Sequence, residues 1–268
     1  MERILPMLTD SHTHLDHEYF HTDRAQVIDR ALANEVSRII NIGFNRATIE
    51  TTLELAQTYD MIDAVIGWHP QEAIHMTSDD LDYIEQLARS HPKVVALGEM
   101  GLDYYWDTSP KETQQRIFRE QLRLARKLNL PVVIHNRDAH ADVVRILQEE
   151  KAFDIGGVMH CFSGSWEVAK QCLEMNFYIS FGGPITFVNA KQPKEVLKNV
   201  PIERVLIETD APYLSPHPYR GKRNEIEKLK IIAEVAAEIK GLEFKNFATL
   251  TTHNASELFK KNKGKLSK

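Results

Sequence analysis

Eight short runs of apolar and β-branched residues recur along the chain, and a longer segment follows each of them. The runs cover residues 6–10, 38–42, 61–67, 94–99, 131–135, 156–161, 177–181 and 204–208. Apolar runs of this length are typical of buried strands. The segments between them repeat apolar residues at three- and four-residue steps, which predicts helices with one apolar face. The chain therefore alternates strand and helix.

Alternating strands and helices predict parallel strands joined by right-handed crossovers, and eight such units close a (β/α)₈ TIM barrel. An open doubly wound α/β sheet is the alternative. It is disfavoured because no Gly-x-Gly-x-x-Gly turn follows the first run. The 268 residues contain no linker or repeat, so we expect one barrel domain over residues 1–268. Residues 260–268, with five lysines, are expected to form a flexible basic tail.

Composition excludes several classes of protein. No apolar run reaches the roughly 18 residues that span a bilayer, and the first residues do not resemble a secretory signal, so we expect a cytoplasmic protein without membrane contact. Cys161 and Cys172 form no Cys-x-x-Cys pair and are interpreted as free thiols. The net charge of −5 argues against a generally basic nucleic-acid surface, although it allows a local patch. Nothing points to an obligate protein partner.

Six residues with metal-ligand side chains lie in or just after five of the predicted strands. They are His12, His14, Glu99, His135, His160 and Asp210. Any one of them has an ordinary explanation, such as a helix cap, a core histidine or a surface ion pair. The carboxyl ends of barrel strands meet at one rim, however, and enzymes with this fold carry their sites there. Together the six residues predict a metal site.

Six ligands exceed the three that a catalytic zinc usually takes from a protein, which favours two divalent ions. The ligands of the first and eighth strands would hold one ion, His135 and His160 the other, and Glu99 would bridge them. Four histidines suit zinc, manganese or cobalt. Paired ions can polarise a substrate oxygen and activate a water.

At these residues the chain resembles the TatD family of metal-dependent deoxyribonucleases, within the amidohydrolase-like barrels. The resemblance covers nearly the whole chain and lies in residues 10–16, 98–104, 135–138, 160–164, 208–213 and 220–225. It implies a barrel, hydrolysis of DNA phosphodiesters, magnesium or manganese in use with zinc possible, and the same six ligands. Many related barrels bridge their metals with a carbamylated lysine, where this chain has Glu99.

The resemblance suggests a mechanism in which a metal-activated water attacks phosphorus, with Glu99 and Asp210 as catalytic carboxylates. Asp210 is expected to bind one ion and accept the proton of the water. Glu208 shares its strand face, so it could orient a ligand histidine; a structural salt bridge is an equal alternative. The DNA substrate is expected to enter at ends or single-stranded regions. The alternatives are an amidohydrolase-like enzyme acting on a small amide, lactone or phosphoester, and a non-enzymatic barrel.

Four cations are candidates for contacts with the substrate phosphate, namely Arg137, Arg220, Lys222 and Arg223. Three of them lie in the loop after the eighth strand, where barrels often bind phosphate; a solvated positive turn is the alternative, and the position after Asp210 favours phosphate binding. Four residues could stack on a base or simply pack, namely Trp68, His69, Tyr104 and Phe162. Asp16 and Asp103 have undecided roles. Strand alternation predicts that Cys161 faces the helices and is no nucleophile.

Overall fold

A computed structural model describes residues 7–260 and contains one sheet of eight parallel strands in sequence order. The strands are β1 Leu8–Thr13, β2 Val36–Gly43, β3 Ile62–Ile66, β4 Val94–Asp103, β5 Val132–Arg137, β6 Gly157–Met159, β7 Phe177–Phe181 and β8 Val205–Ile207. Each predicted run contributes one strand. The first residue of the first predicted run and residues 261–268 of the predicted tail lie outside the described residues.

Helices separate the strands and cover the outside of the sheet. They are α1 Arg24–Ala33, α2 Arg46–Thr58, α3 Ser78–Ser90, α4 Lys111–Leu128, α5 His140–Glu149, α6 Trp166–Glu174, α7 Lys191–Asn199, α8 Leu229–Lys240 and α9 Phe244–Leu258. Local sequence signals fix several ends. Asn45 and Thr48 form a capping box at the start of α2, and Gly241 ends α8 in the left-handed conformation. None of the helices among residues 7–260 is long and apolar enough to cross a membrane.

The sheet curls until β8 meets β1. The backbone N–H of Asp210 donates to His12 O at 2.9 Å, and that of His14 donates to Ala211 O at 2.8 Å. The Ser11 hydroxyl donates to Ile207 O at 2.9 Å. These bonds join the first strand to the last, so the predicted (β/α)₈ barrel is confirmed, and the doubly wound alternative is wrong.

The core has two layers. Inside the barrel, branched side chains from successive strands pack together: Ile40, Ile42, Val65, Val95, Val133, Val158 and Leu206. A larger cluster fills the space between strands and helices. Helix α9 covers the amino-terminal end of the barrel, where Ala255 and Phe259 join the inner cluster and Asn254 donates to Val205 O at 2.9 Å. Helix α9 does not cover the carboxyl-terminal end of the barrel, which is the end at which enzymes of this fold carry their sites.

Strand ends differ from the predicted ones where the predicted ligands lie. Strand β4 continues past Glu99, which therefore lies inside the strand, and its pairing with β5 shifts between Leu97 and Met100. The close approach of the two strands requires glycine at Gly98 and Gly101, with φ of +147° and +145°. A Cβ on Gly101 would lie 2.0 Å from His135 O. Strands β6 and β8 end earlier than predicted, so His160 and Asp210 lie in the loops that follow.

Candidate metal centre

Glu99 lies at the centre of the predicted ligand set, and its two carboxylate oxygens face different histidines. Its Oε2 lies 3.4 Å from His12 Nε2 and 3.7 Å from His14 Nε2. Its Oε1 lies 2.7 Å from His135 Nδ1 and 2.9 Å from His160 Nε2. The carboxylate thus divides the cluster into two halves, called here the β1 half and the β5 half.

The β1 half contains His12, His14 and Asp210. The two Nε2 atoms are 3.3 Å apart, and Asp210 Oδ1 lies 3.7 Å from the first and 3.5 Å from the second. All three side chains are buried. Ring nitrogens directed at one another beside carboxylate oxygens form a donor set that suits a divalent cation.

The β5 half contains His135 and His160, whose facing nitrogens are 3.4 Å apart. His69 adds a third imidazole, because its Nε2 lies 3.6 Å from Glu99 Oε1. The structure therefore groups His69 with Glu99 and His135 as a possible ion site. Sequence reasoning considered His69 only as a stacking residue. His69 follows the third apolar run by two residues, but that position alone does not show how close its ring lies to Glu99.

Hydrogen bonds on the outer side of the rings orient three of the histidines. The His14 ring donates through Nδ1 to Ile42 O at 3.3 Å. His160 contacts Glu208 Oε1 through Nδ1 at 3.2 Å, and His135 contacts Asp103 Oδ2 through Nε2 at 3.0 Å. When the outer nitrogen carries the hydrogen, the lone pair of the other nitrogen faces Glu99, as a metal ligand requires.

Two buried polar atoms have no hydrogen-bond partner among residues 7–260 and lie beside this cluster. They are His12 Nδ1 and Glu208 Oε2. The ring of His12 stacks on that of His160 at 3.9 Å, and these two histidines with Glu208 form a third group of clustered ligand atoms. The donor chemistry of the cluster, with imidazoles and carboxylates concentrated in a buried site, fits divalent cations.

The carboxylates of the cluster are held in the charged form. Burial raises the pKa of Glu99, but the positive charge of His160 is the largest opposing effect, and the pKa is held well below its ordinary value. Burial likewise disfavours a charged His14, yet the hydrogen bond with Asp210 and the charge of Glu99 raise its pKa to about 9. Burial lowers the pKa of His69 to about 3, with the neighbouring His135 contributing. The cluster attracts positive charge.

A cavity of about 800 Å³ opens onto the cluster from the carboxyl-terminal side. Its floor includes His14, Glu99, His135, His160 and Asp210. Aromatic and aliphatic side chains form much of its wall, among them Phe44, Trp106, Phe162, Phe181 and Ile185. The candidate centre is therefore buried but reachable by a ligand.

Comparison with known proteins identifies the family of this chain. The family described as TatD related DNase matches residues 9–260. The metal-dependent hydrolase YabD of Bacillus subtilis, itself uncharacterized, is 56% identical over 256 residues, which cover 96% of this chain and all of that protein. The chain belongs to the TatD family.

A solved TatD-family structure and a named exonuclease are also similar. The crystal structure of the TatD homolog YJJV from Escherichia coli K12 superposes with a TM-score of 0.89 at 31% identity, covering 94% of this chain and 97% of that one. A protein of Citrobacter koseri named 3'-5' ssDNA/RNA exonuclease TatD is 36% identical over 255 residues, 93% of this chain and 98% of its own length. This TatD-family chain is therefore a metal-dependent hydrolase with a TIM barrel.

The four predicted phosphate-binding cations have different surroundings in this TatD-family barrel. Arg137 lines the cavity, and its side chain has no hydrogen bond or salt bridge to any residue in the described part of the chain. Arg220 lies over the Phe187 ring at 4.7 Å, and Lys222 is exposed. Neither lines the cavity.

Arg223 is already paired. It donates to Asp23 Oδ1 and Oδ2 at 2.9 and 2.7 Å and to Glu225 Oε1 at 2.7 Å. These carboxylates neutralise its charge and hold the loop after β8 against the start of α1. The structure therefore brings only Arg137, of the four cations, to the cavity.

Four other residues with predicted roles can be compared by whether they line the cavity. Phe162 lines the cavity, whereas Trp68 and Tyr104 do not: the Trp68 ring donates to Glu72 O, and the Tyr104 hydroxyl to Asp142. The prediction that Cys161 faces the helices is wrong, because β6 ends at Met159 and Cys161, with φ of +40°, lines the cavity.

The undecided aspartates have clear contacts. Asp16 is buried and accepts from Asn41 Nδ2 at 2.9 Å. Asp103 contacts His135 Nε2, and Gln71 donates to the same oxygen at 3.1 Å. Asp10, on the strand that carries His12, accepts from the Thr209 backbone at 3.0 Å and so fixes the end of β8 to β1.

Proposed function

We propose that this protein is a TatD-type deoxyribonuclease that hydrolyses DNA phosphodiester bonds with the help of two divalent ions. The observation that carries the proposal is the division of the cluster by Glu99, whose Oε2 faces His12 and His14 while its Oε1 faces His135 and His160. A carboxylate with one oxygen directed to each half is the arrangement that a bridging ligand of an ion pair needs.

The imidazole nitrogens and carboxylate oxygens of the cluster are donor atoms that suit divalent ions. His12, His14 and Asp210 would hold the first ion, and His135 and His160 the second, with His69 beside it. Magnesium and manganese are the proposed working ions because Glu99 and Asp210 offer carboxylate oxygens, and the imidazoles also admit zinc. When bound, such ions supply Lewis acidity and lower the pKa of a bound water.

The protein's own side chains would orient the substrate and move the proton. Asp210 lies at the mouth of the β1 half, its pKa is held low by the hydrogen bond with His14 against the effect of burial, and it lines the cavity. It can therefore accept a proton from the attacking water. Arg137 presents to the same cavity a guanidinium that has no carboxylate partner among residues 7–260, and it can donate to a non-bridging phosphate oxygen. Glu208 would hold His160 in its ligating orientation.

The nucleic-acid substrate is supported by two observations. Arg137 is a cation without a carboxylate partner in the described residues, and it lines the cavity, where a phosphate would arrive. The Citrobacter koseri relative is named as an exonuclease of single-stranded DNA and RNA. We therefore propose DNA ends or single-stranded regions as the substrate.

A small-molecule ester, amide or lactone is the second candidate. The observation that favours it is the apolar wall of the cavity, with Phe44, Phe181 and Ile185, which a compact organic substrate could fill. Both candidates use the same cluster and differ in what the cavity accepts.

The test is to incubate the magnesium- or manganese-loaded protein with end-labelled single- and double-stranded DNA, and separately with a simple phosphodiester and a lactone. The proposal expects cleavage of DNA that chelation abolishes. Turnover of the lactone without cleavage of DNA would contradict it. Asp210→Asn tests the proton acceptor: unchanged turnover with unchanged metal content would remove that role from Asp210.

A further inference from the structure

We propose that Tyr105, Trp106 and Arg137 form a stacking platform that binds an unpaired nucleobase beside the scissile phosphodiester. The inference rests on the proposed function and adds to it a binding subsite for the base. It would make the enzyme prefer single-stranded substrates, since the faces of a base inside a duplex are covered by the bases stacked above and below it.

The platform is an exposed arrangement of aromatic and cationic groups. Tyr105 and Trp106 are 55% and 49% exposed, unusually high for rings of this size. Their centroids are 4.9 Å apart, with the ring planes at 87°. The Arg137 guanidinium lies 3.8 Å from the Tyr105 centroid and 5.6 Å from that of Trp106. The arginine restrains the rings, and part of their surface remains free.

The chain fold sets the platform beside the metal centre. Asp103 ends β4 and pairs with Arg137 at the end of β5, so the loop with Tyr105 and Trp106 begins at the rim where β5 delivers His135. Trp106 and Arg137 line the same cavity as Glu99 and His135. A ligand in this cavity can reach both.

One carboxylate holds the platform and a histidine of the cluster together. Asp103 Oδ1 accepts from the backbone N–H groups of Tyr105 and Trp106 at 3.0 and 3.1 Å, and its Oδ2 contacts His135 Nε2 at 3.0 Å. Asp103 is fully buried. The position of the rings is therefore fixed relative to His135, as a subsite for one nucleotide requires.

A nucleobase is the occupant that this chemistry favours. Aromatic rings and an arginine plane stack on any base, and Arg137 keeps N–H groups free to donate to the adjoining phosphate. A purely apolar ligand would pack against the rings but would offer no acceptor for the N–H groups of the guanidinium. The platform should therefore recognise a base together with its phosphate.

The experiment compares two oligonucleotides, a short oligo-dT and the same strand with abasic residues, for binding in the presence of chelator and for cleavage with metal. We expect wild-type protein to bind the base-containing strand about tenfold more tightly, and Trp106→Ala to bring that ratio close to one. In cleavage, Trp106→Ala should raise KM for oligo-dT and leave the abasic strand unaffected. Trp106→Phe should restore most of the preference.

The matched control is Phe187→Ala, which removes the ring under Arg220, another cation–aromatic pair that lies outside the cavity lining. It should leave the ratio unchanged. A wild-type ratio near one, or a ratio unaffected by Trp106→Ala, overturns the platform even if DNA is cleaved. A tenfold ratio without cleavage supports the platform and refutes the nuclease. Loss of activity in Trp106→Ala only toward aromatic small esters would overturn the nucleobase as occupant.

Discussion

The two halves of the cluster are alike in their inner atoms and differ in what supports them. In the β5 half, both histidines contact a carboxylate on the outer side: His135 contacts Asp103, and His160 contacts Glu208. In the β1 half, His14 donates to a backbone carbonyl, and the outer nitrogen of His12 has no partner among residues 7–260. A carboxylate behind an imidazole increases its basicity and fixes its orientation. The β5 half should therefore bind its ion more tightly.

Glu99→Gln should have the largest effect, because it removes the charge that both halves share. We expect loss of both ions and a fall in hydrolysis of about 10³-fold or more, equivalent to about 4 kcal/mol of transition-state stabilisation. Metal analysis of the purified variant and initial rates measure the two effects. Glu72→Gln is the control, since Glu72 lines the same cavity and no contact between its side chain and Glu99 is found in the described residues. One ion retained at full affinity would show that Glu99 serves only one half.

Variants of single ligands should separate the halves. His14→Asn is expected to lose the ion of the β1 half, and His135→Asn the ion of the β5 half, each leaving one ion bound. Hydrolysis should fall by about 10² to 10³ in both, because one ion stabilises less of the developing charge. Metal content per chain is the measurement. If either substitution removed both ions, the halves would have to be treated as one site.

Glu208→Gln should have a smaller effect that is confined to the β5 half. Glutamine keeps the shape and an acceptor for His160 Nδ1 but lacks the charge, so the ion of that half should bind about 10- to 100-fold more weakly. Metal titration of the His14→Asn background isolates this ion, and titration of the His135→Asn background checks that the other is unaffected. Equal affinities with and without the substitution would reduce Glu208 to a packing role.

The smallest expected difference between the two halves is the number of protons released when each binds a cation. Burial lowers the pKa of His160, but Glu99 and Glu208 raise it well above the ordinary value, and the pKa of His135 is also raised, chiefly through Asp103 and Glu99 against burial. In the β1 half the pKa of His14 is raised to about 9, whereas burial lowers that of His12. A cation should therefore displace more protons from the β5 half than from the β1 half.

The sign of the pH dependence follows from this displacement. Because protons compete with the ion, affinity should rise with pH, about tenfold per pH unit for each proton displaced, and level off in the β1 half above about pH 9. Calorimetry in two buffers of different ionisation enthalpy counts the protons released in each single-ligand variant. Equal numbers from the two halves would contradict the comparison.

Much of this molecule could be predicted from local patterns. The eight strands followed from apolar runs, and the clustering of the six candidate ligands followed from the rule that strand ends meet at one rim. Strand limits were less predictable: the run up to Glu99 gives no sign that Gly98 and Gly101 let β4 continue beside β5. Spacing also could not reveal distant partners. The cations after β8 suggested a phosphate site, but Asp23, about 200 residues away in sequence, pairs with Arg223.

The exposed rings were missed for a related reason. Tyr105 and Trp106 lie in a loop without periodicity, so the sequence gives no hint of their exposure. Their importance appears only when β4 and β5 bring them to Arg137. His69 was underestimated in the same way, because its proximity to Glu99 depends on the curvature of the whole barrel.

Helix α9 closes the amino-terminal end of the barrel. Asn254 of this helix donates to Val205 O at the start of β8, and Ala255 packs with the branched side chains inside the barrel. Under the proposed function, a DNA strand would therefore enter and leave the metal centre on the carboxyl-terminal side of the barrel, where the cavity opens.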